Sequence, residues 1–186
     1  GYKGEKIQTH VENTWPNLDV EYSNSGQSAS MLQRLYDAKS LIGERCIVAY
    51  GDTFVNIDTN LLIEAHTEKG ADITLVTAQV QSPLGLIEID SNQRVVEFRE
   101  KPFQDYFVGM FVIERKLLDN VTPEQLSKED GVGLVDLFQS TVAKKKMATY
   151  EHKGLNITFN THDERKSAEQ EIINFYTVNN QKEPKK

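Results

Sequence analysis

An uninterrupted apolar run at residues 46–50, followed at once by Gly51-Asp52-Thr53, constrains the fold of this chain most. A short apolar run without polar alternation is typical of a strand that is covered on both faces of a sheet. Further strands are predicted over residues 19–23 and 72–77, one before and one after this run. The run is therefore expected to be a central strand.

Helical patterns fill the intervals between these strands. Leu32 and Leu35 belong to an apolar face that stops at Gly43, and Asp58 can cap a second helix that ends near Gly70. Strands that alternate with helices on short connections predict a mostly parallel sheet between helix layers. The expected class is α/β, a three-layer Rossmann-like fold.

The second half of the chain departs from this alternation. Residues 84–90 and 94–98 predict a β-hairpin insertion around the polar turn at Ser91-Asn92. A strand over 106–113 is interrupted by Gly109, and glycine inside a strand often marks a close backbone approach. The remaining predictions are helices over 114–120 and 132–146, strands over 147–151 and 155–159, and a last helix that starts at Thr161 or His162.

The composition of the chain excludes several classes of protein. The chain has 186 residues, which predicts one domain, taken as residues 1–178, with a flexible polar tail over 179–186. A net charge of −7 argues against a general nucleic-acid binder, and no stretch approaches the roughly 20 apolar residues of a membrane span. With Cys46 as its only cysteine, the chain has no internal disulfide, and a cytoplasmic location is expected.

Asp52 is the most informative candidate site residue. In open parallel sheets, ligands lie outside the carboxyl ends of the strands, which is where Asp52 is expected. A carboxylate there suits Mg²⁺, which often joins one or two carboxylates to substrate phosphates. The alternative from this feature alone is an Asp that closes a turn.

Three further segments carry weaker signals. Lys101, fixed before Pro102, suits a phosphate, and Gly85 allows a ligand to approach the backbone; the alternatives are a solvent-exposed lysine and a glycine at a strand entry. Gly26-Gln27-Ser28 precedes a predicted helix, whose free N–H groups favour anions, or it is a simple helix cap.

Several common motifs are absent from the sequence. It contains no G-x-G-x-x-G, no Walker A loop and no G-x-S-x-G, which argues against a dehydrogenase, a P-loop NTPase and an α/β-hydrolase. Its four histidines have no metal-ligand spacing and are interpreted as surface or packing residues.

Taken in order, these segments resemble one family, the sugar-1-phosphate nucleotidyltransferases or nucleoside-diphosphate-sugar pyrophosphorylases. The likeness spans nearly the whole chain, and the cytidylyltransferase branch that acts on glucose 1-phosphate resembles it most, through Tyr50-Gly51-Asp52-Thr53 and Asn160-Thr161. The resembling segments are G-Y-K-G-E-K-I at residues 1–7, the strand ending in Y-G-D at 46–53, the stretch at 58–71 with its Asp58, Leu61-Leu62, His66 and Gly70-Ala71, the segment at 84–90 with Gly85 and Asp90, and R-V-x-x-F-x-E-K-P at 94–102.

The resemblance implies a GT-A-like fold and a reaction. A nucleoside triphosphate and a sugar 1-phosphate would form a nucleoside-diphosphate sugar and pyrophosphate, with Mg²⁺ as cofactor. Asp52 and Lys101 would be catalytic, and Asp52 and Asn160 would hold the metal. The nucleotide would contact Gly26, Gln27, Ser28, Gly51 and Asp52, and the sugar phosphate would contact Gly85, Glu100 and Lys101.

The chain also departs from the family pattern. The family's first strand and its G-x-G-x-R loop do not occur in this sequence, so the sheet is expected to be open beside residues 46–50, and a homo-oligomer is one way to close it. Thr158 falls where the family has a metal-binding Asp, and Gly26-Gln27-Ser28 replaces the usual base-contacting segment. A non-catalytic regulatory or nucleotide-sugar-binding relative of the same fold is therefore the alternative.

Overall fold

The structure is a computed structural model that describes residues 1–180. Seven helices, eight strands and a 3₁₀ turn at Ala38–Leu41 make up this part of the chain. In chain order the helices and strands are α1 (Gly4–Thr14), α2 (Met31–Asp37), β1 (Arg45–Ala49), β2 (Thr53–Val55), α3 (Thr59–Glu68), β3 (Ile73–Gln81), β4 (Leu86–Ile89), β5 (Val95–Arg99), β6 (Phe103–Glu114), α4 (Arg115–Asp119), α5 (Pro123–Leu126), α6 (Val132–Ala143), β7 (Met147–Glu151), β8 (Asn156–Thr158) and α7 (His162–Asn180).

The central sheet has four strands in the order β1-β6-β3-β7. β3 and β7 are parallel, because Asp72 N–H donates to Lys146 O at the start of both strands and His152 N–H donates to Thr77 O further along both. The predicted α/β class is confirmed.

β6 makes this sheet mixed. Glu114 N–H donates to Asp72 O, whereas Ser82 N–H donates to Pro102 O, so β6 runs antiparallel to β3. Tyr50 N–H donates to Gly109 O, and β6 is likewise antiparallel to β1. The reversal follows from the hairpin insertion, because the chain leaves the sheet at the end of β3 and returns to it at the same end.

Two expectations for the first half of the chain need correction. Residues 19–23 are exposed and form no strand, since no described residue offers them a ladder of backbone hydrogen bonds. β1 lies at the edge of the four-stranded sheet and its residues are mostly half-buried, so it is not covered on both faces. This confirms, within the described residues, the expected open edge beside residues 46–50. Partial burial of the Cys46 thiol raises its pKa.

Two short antiparallel pairs stand apart from the central sheet. β4 and β5 form the predicted hairpin, with Leu86 opposite Arg99 and a register shift at Glu88-Ile89. β2 pairs with β8, so that Thr53 lies opposite Thr158. The second pair was not anticipated as a pair, because its strands are far apart in sequence.

Residue contacts divide the chain into two units. The first, formed by Gly1–Val48, Ile63–Thr74 and Val112–Ala148, has a core that includes Leu32, Ile73, Ile113, Leu118 and Leu134. The second comprises Ala49–Leu62, Leu75–Phe111 and the chain from Thr149 onward, and its core includes Leu62, Val76, Ala78, Val108 and Phe111.

That residues 1–178 form one domain stays a prediction. Residues 179–180, assigned to the predicted tail, form the end of α7, and residues 181–186 lie outside the described part of the chain. Among residues 1–180, every helix is too short or too polar to cross a bilayer.

A buried polar cluster anchors α3 to the sheet in the first unit. The His66 ring, 1% exposed, has Nδ1 at 2.7 Å from Thr74 Oγ1 and Nε2 at 3.0 Å from Glu114 Oε1. Arg45 Nε donates to the same Glu114 oxygen at 2.9 Å. His66 is therefore a packing residue, as interpreted from the sequence, and it joins α3 to the start of β3 and the end of β6.

We expect His66→Ala to lower the free energy of unfolding by about 2–3 kcal/mol, because it leaves the Thr74 hydroxyl buried and unpaired and removes a partner of Glu114. The matched control is His162→Ala, at an exposed histidine, for which a change within about 0.5 kcal/mol is expected. Urea denaturation measures both. Equal losses for the two variants would contradict the role of the cluster.

Candidate functional site

The structure brings the Asp52 turn and the loop before α7 together. Asp52 follows β1 and is half-buried, and its backbone O accepts a hydrogen bond from Phe159 N–H at 3.0 Å. The β2–β8 register, with Thr53 opposite Thr158, fixes this pairing. Asn160 follows Phe159 directly, so the two predicted metal ligands lie on facing turns at the same end of the ribbon.

The Thr53 hydroxyl lies next to the Asp52 carboxylate, and the Thr158 hydroxyl lies next to that of Thr53. Thr53 Oγ1 donates to Asp52 Oδ1 at 3.4 Å and lies 3.5 Å from Thr158 Oγ1. Within the described residues, no group of three or more His, Cys, Asp or Glu side chains is placed to hold a metal. The predicted ligands Asp52 and Asn160 offer a carboxylate and an amide oxygen, which are donors that suit a hard cation. That the two hold one ion stays a prediction.

A capping box fixes the backbone next to Asn160. Glu164 Oε2 accepts from Asn160 N–H at 2.7 Å and from Thr161 N–H at 3.1 Å, and Glu164 N–H donates to Thr161 Oγ1. The Asn160 N–H is the main cause that lowers the pKa of Glu164. Glu164 is not among the predicted site residues, although its T-x-x-E spacing from Thr161 is a known signal for this arrangement.

Gly85 and Glu100 also meet. Because Leu86 pairs with Arg99, the next residues along the hairpin, Gly85 and Glu100, face each other. A Cβ on residue 85 would lie 3.0 Å from the Phe98 ring and 3.3 Å from Glu100 Oε2. A glycine at this position therefore keeps the space beside an exposed carboxylate open. That a ligand approaches the backbone at Gly85 stays a prediction.

Lys101 has a strained backbone. Its φ is +43°, in the left-handed region, although the following Pro102 favours an extended conformation for this residue. Gln81 Nε2 donates to Lys101 O at 3.2 Å, and Ser82 N–H donates to Pro102 O at 2.9 Å. Two contacts from β3 and its end thus hold an exposed lysine in a costly conformation, as is common at functional sites. That Lys101 and Asp52 act on one ligand stays a prediction.

The predicted base-contacting segment belongs to the first unit. Gly26 has φ +82° and its N–H donates to Asn24 Oδ1, while Gln27 O accepts from Arg34 Nη2 at 3.1 Å. Ser30, whose Oγ accepts from Gln33 N–H, caps α2. Gly26-Gln27-Ser28 is therefore not the helix cap that the sequence left as an alternative.

Ser28 also lines a cavity of ≈ 490 Å³ in the first unit. Its other walls include Gln33 of α2 and Lys128 and Asp130 of the loop before α6. The remaining predicted site residues, Gly51, Asp52, Gly85, Glu100, Lys101 and Asn160, all belong to the second unit.

Solved structures resemble the fold. HddC from Yersinia pseudotuberculosis matches with a TM-score of 0.65 at 18% identity, over 92% of this chain and 75% of that chain. A putative glucose-1-phosphate thymidylyltransferase from Bacillus anthracis matches with a TM-score of 0.64 at 17% identity, over 89% of this chain and 70% of that chain. At these identities the likeness shows the fold.

Curated relatives match over part of their length. A putative mannose-1-phosphate guanyltransferase from Sulfolobus acidocaldarius is 27% identical over 161 residues, which cover 81% of this chain and 42% of the relative. A UTP–glucose-1-phosphate uridylyltransferase from Synechocystis is 25% identical over 108 residues, which cover 53% of this chain and 28% of the relative. The chain thus spans less than half of these relatives.

The family model supplies the assignment. The model described as nucleotidyl transferase matches residues 2–173, which include every predicted site residue. This agrees with the resemblance read from the Y-G-D and E-K-P segments. The chain belongs to the nucleotidyl transferase family.

Proposed function

We propose that this chain carries the catalytic part of a sugar-1-phosphate nucleotidyltransferase, which forms a nucleoside-diphosphate sugar and pyrophosphate. The observation that supports it most is the Asp52 turn, paired through Phe159 with the Asn160 loop inside the family match. Relatives named as guanyl-, uridylyl- and adenylyltransferases of sugar 1-phosphates support the same reaction class.

In this reaction an oxygen of the sugar 1-phosphate attacks the α-phosphorus of the nucleoside triphosphate, and the bond to the β-phosphate breaks. Both reactants are polyanions, so the protein's task is to position them and to offset their charge. Lys101 supplies a cation for the sugar phosphate. The Glu100 carboxylate accepts hydrogen bonds from sugar hydroxyls, and the bare backbone at Gly85 lets the sugar lie against it.

The metal site of this proposal consists of Asp52 and Asn160, supported by the hydroxyls of Thr53 and Thr158. Mg²⁺, when bound, would offset charge on the nucleotide phosphates. The chain's own contribution is to hold Asp52 in place through the Phe159 N–H and Thr53 Oγ1 contacts. Oxygen donors alone favour a hard cation over a softer one.

The proposal extends to the base of the nucleoside triphosphate. The likeness of Tyr50-Gly51-Asp52-Thr53 and Asn160-Thr161 to the cytidylyltransferase branch makes CTP the first nucleotide to test. The Gly26-Gln27-Ser28 loop is the segment proposed to contact the base. Thermal-shift measurements with CTP, UTP, dTTP, GTP and ATP in the presence of Mg²⁺ distinguish the bases, because a ligand of the native state raises Tm by mass action.

A second candidate has one observation in its favour. Thr158 lies beside Thr53 where the family resemblance expects a carboxylate, so the site has a single charged ligand. A non-catalytic relative that binds nucleotide or nucleotide sugar without turnover is compatible with that donor set. The two candidates differ in whether pyrophosphate is released.

We expect Asp52→Asn to reduce pyrophosphate release by roughly 10²–10³-fold, because it removes the carboxylate at the reacting phosphates. Asp163→Asn is the matched control: its carboxylate is 98% exposed in the first turn of α7 and should leave the rate unchanged. Pyrophosphate release is measured with each nucleotide and a set of sugar 1-phosphates.

The outcomes separate the candidates. Turnover that Asp52→Asn removes supports the transferase. A nucleotide that raises Tm without any pyrophosphate release supports the non-catalytic relative. Turnover that survives Asp52→Asn contradicts the proposed site.

Lys101 yields a prediction in which stability and activity move in opposite directions. Lys101→Gly relieves a left-handed φ and should raise the free energy of unfolding by up to about 1 kcal/mol, while activity falls because the cation is lost. Lys101→Ala should lose the same activity without the gain in stability. Urea denaturation and pyrophosphate release, measured on both variants, check this; an active Lys101→Ala enzyme would contradict the role of the ammonium group.

A further inference from the structure

We propose that Gly109 is a positioning residue for Asp52, acting through Tyr50 and Thr53; the inference rests on the proposed function. Gly109 lies inside β6, and its φ of +80° is in the region that favours glycine. Its carbonyl accepts a hydrogen bond from Tyr50 N–H at 2.9 Å. β6 is therefore hydrogen-bonded at Gly109 to the segment that carries the candidate carboxylate.

The space beside Gly109 is filled by the two residues that flank Gly51-Asp52. A Cβ on residue 109 would lie 2.9 Å from Thr53 Oγ1 and 3.3 Å from the Tyr50 ring. Real Cβ contacts below 3.0 Å are essentially never seen, so one of these neighbours would have to move. The close approach that the sequence predicted at Gly109 thus has a specific partner.

Neither neighbour can move without affecting the site. Thr53 Oγ1 is the group that donates to Asp52 Oδ1, and it also lies within 3.5 Å of Thr158 Oγ1. Rotating this side chain away breaks its contact with Asp52. The Tyr50 ring is packed edge-on against Phe107, with ring centroids 5.8 Å apart, which leaves it little room to retreat.

The chain offers a matched control for backbone strain. Gly131 has nearly the same φ, +83°, but a Cβ there would meet no atom within 4 Å. Gly131→Ala therefore imposes the left-handed strain alone, whereas Gly109→Ala imposes the strain and the contact with Thr53 and Tyr50. Comparing the two isolates the contact.

The experiment measures kcat, KM for the sugar 1-phosphate and the Mg²⁺ concentration for half-maximal rate, using the nucleotide that the thermal-shift screen selects. For Gly109→Ala we expect kcat to fall at least tenfold and the Mg²⁺ requirement to rise, with KM for the sugar 1-phosphate within twofold of the wild type. For Gly131→Ala we expect a smaller loss of Tm, from the backbone strain alone, with kcat and Mg²⁺ requirement within twofold of the wild type.

A second pair of variants tests the contact even if Gly109→Ala folds poorly. Thr53→Ala removes the nearer of the two groups that the new Cβ would meet and leaves only the Tyr50 ring at 3.3 Å. The double variant Gly109→Ala/Thr53→Ala should therefore fold, with kcat and Mg²⁺ requirement within about twofold of those of Thr53→Ala alone. A double variant that is unfolded, or that loses a further tenfold relative to Thr53→Ala, overturns the inference.

The remaining outcomes are distinct. If the wild-type chain releases no pyrophosphate with any pair of substrates, the proposed function fails and this inference fails with it. If the wild type is active and Gly109→Ala retains the kcat and Mg²⁺ requirement of Gly131→Ala, only the inference fails. A rise in KM for the sugar 1-phosphate with unchanged Mg²⁺ requirement also overturns it.

Discussion

The hydrogen bond from Phe159 N–H to Asp52 O joins two turns that lie far apart in the sequence. The neighbouring pair in the same ribbon, Thr53 and Thr158, is separated by 105 positions. The pairing of β2 with β8 fixes the positions of the two turns relative to each other. The Glu164 capping box connects the turn at Asn160 to the start of α7.

The candidate site depends on backbone geometry that only small or strained residues allow. Gly109 brings β6 against the flanks of Asp52, Gly85 leaves room beside Glu100, and Lys101 adopts a left-handed φ that its own side chain disfavours. Each of these positions lowers local stability in exchange for a fixed arrangement of polar groups. In the first unit, the buried His66 cluster stabilises the sheet where β3 begins and β6 ends, which offsets these losses of stability.

Local patterns in the sequence predicted those parts of the fold that local forces determine. The Ser91-Asn92 turn marks the hairpin that forms, but it does not fix the whole register, because the shift at Glu88-Ile89 is what places Gly85 opposite Glu100. The strand expected at residues 19–23 does not form, because a strand also needs a partner that no pattern within it encodes. For the same reason, local sequence patterns could not predict the direction of β6 or the pairing of β2 with β8. The residues that surround Asp52 depend on both pairings, so they could not be predicted either.

Thr158 has a consequence for the electrostatic field of the site. A hydroxyl beside Thr53 adds no formal charge, whereas a carboxylate there would add a second negative charge near Asp52. Two unit charges 4 Å apart interact by about 1 kcal/mol in water and about 4 kcal/mol at the effective dielectric of a protein surface. A phosphorylated molecule that approaches this turn therefore meets less repulsion, at the expense of a weaker hold on any cation that arrives alone.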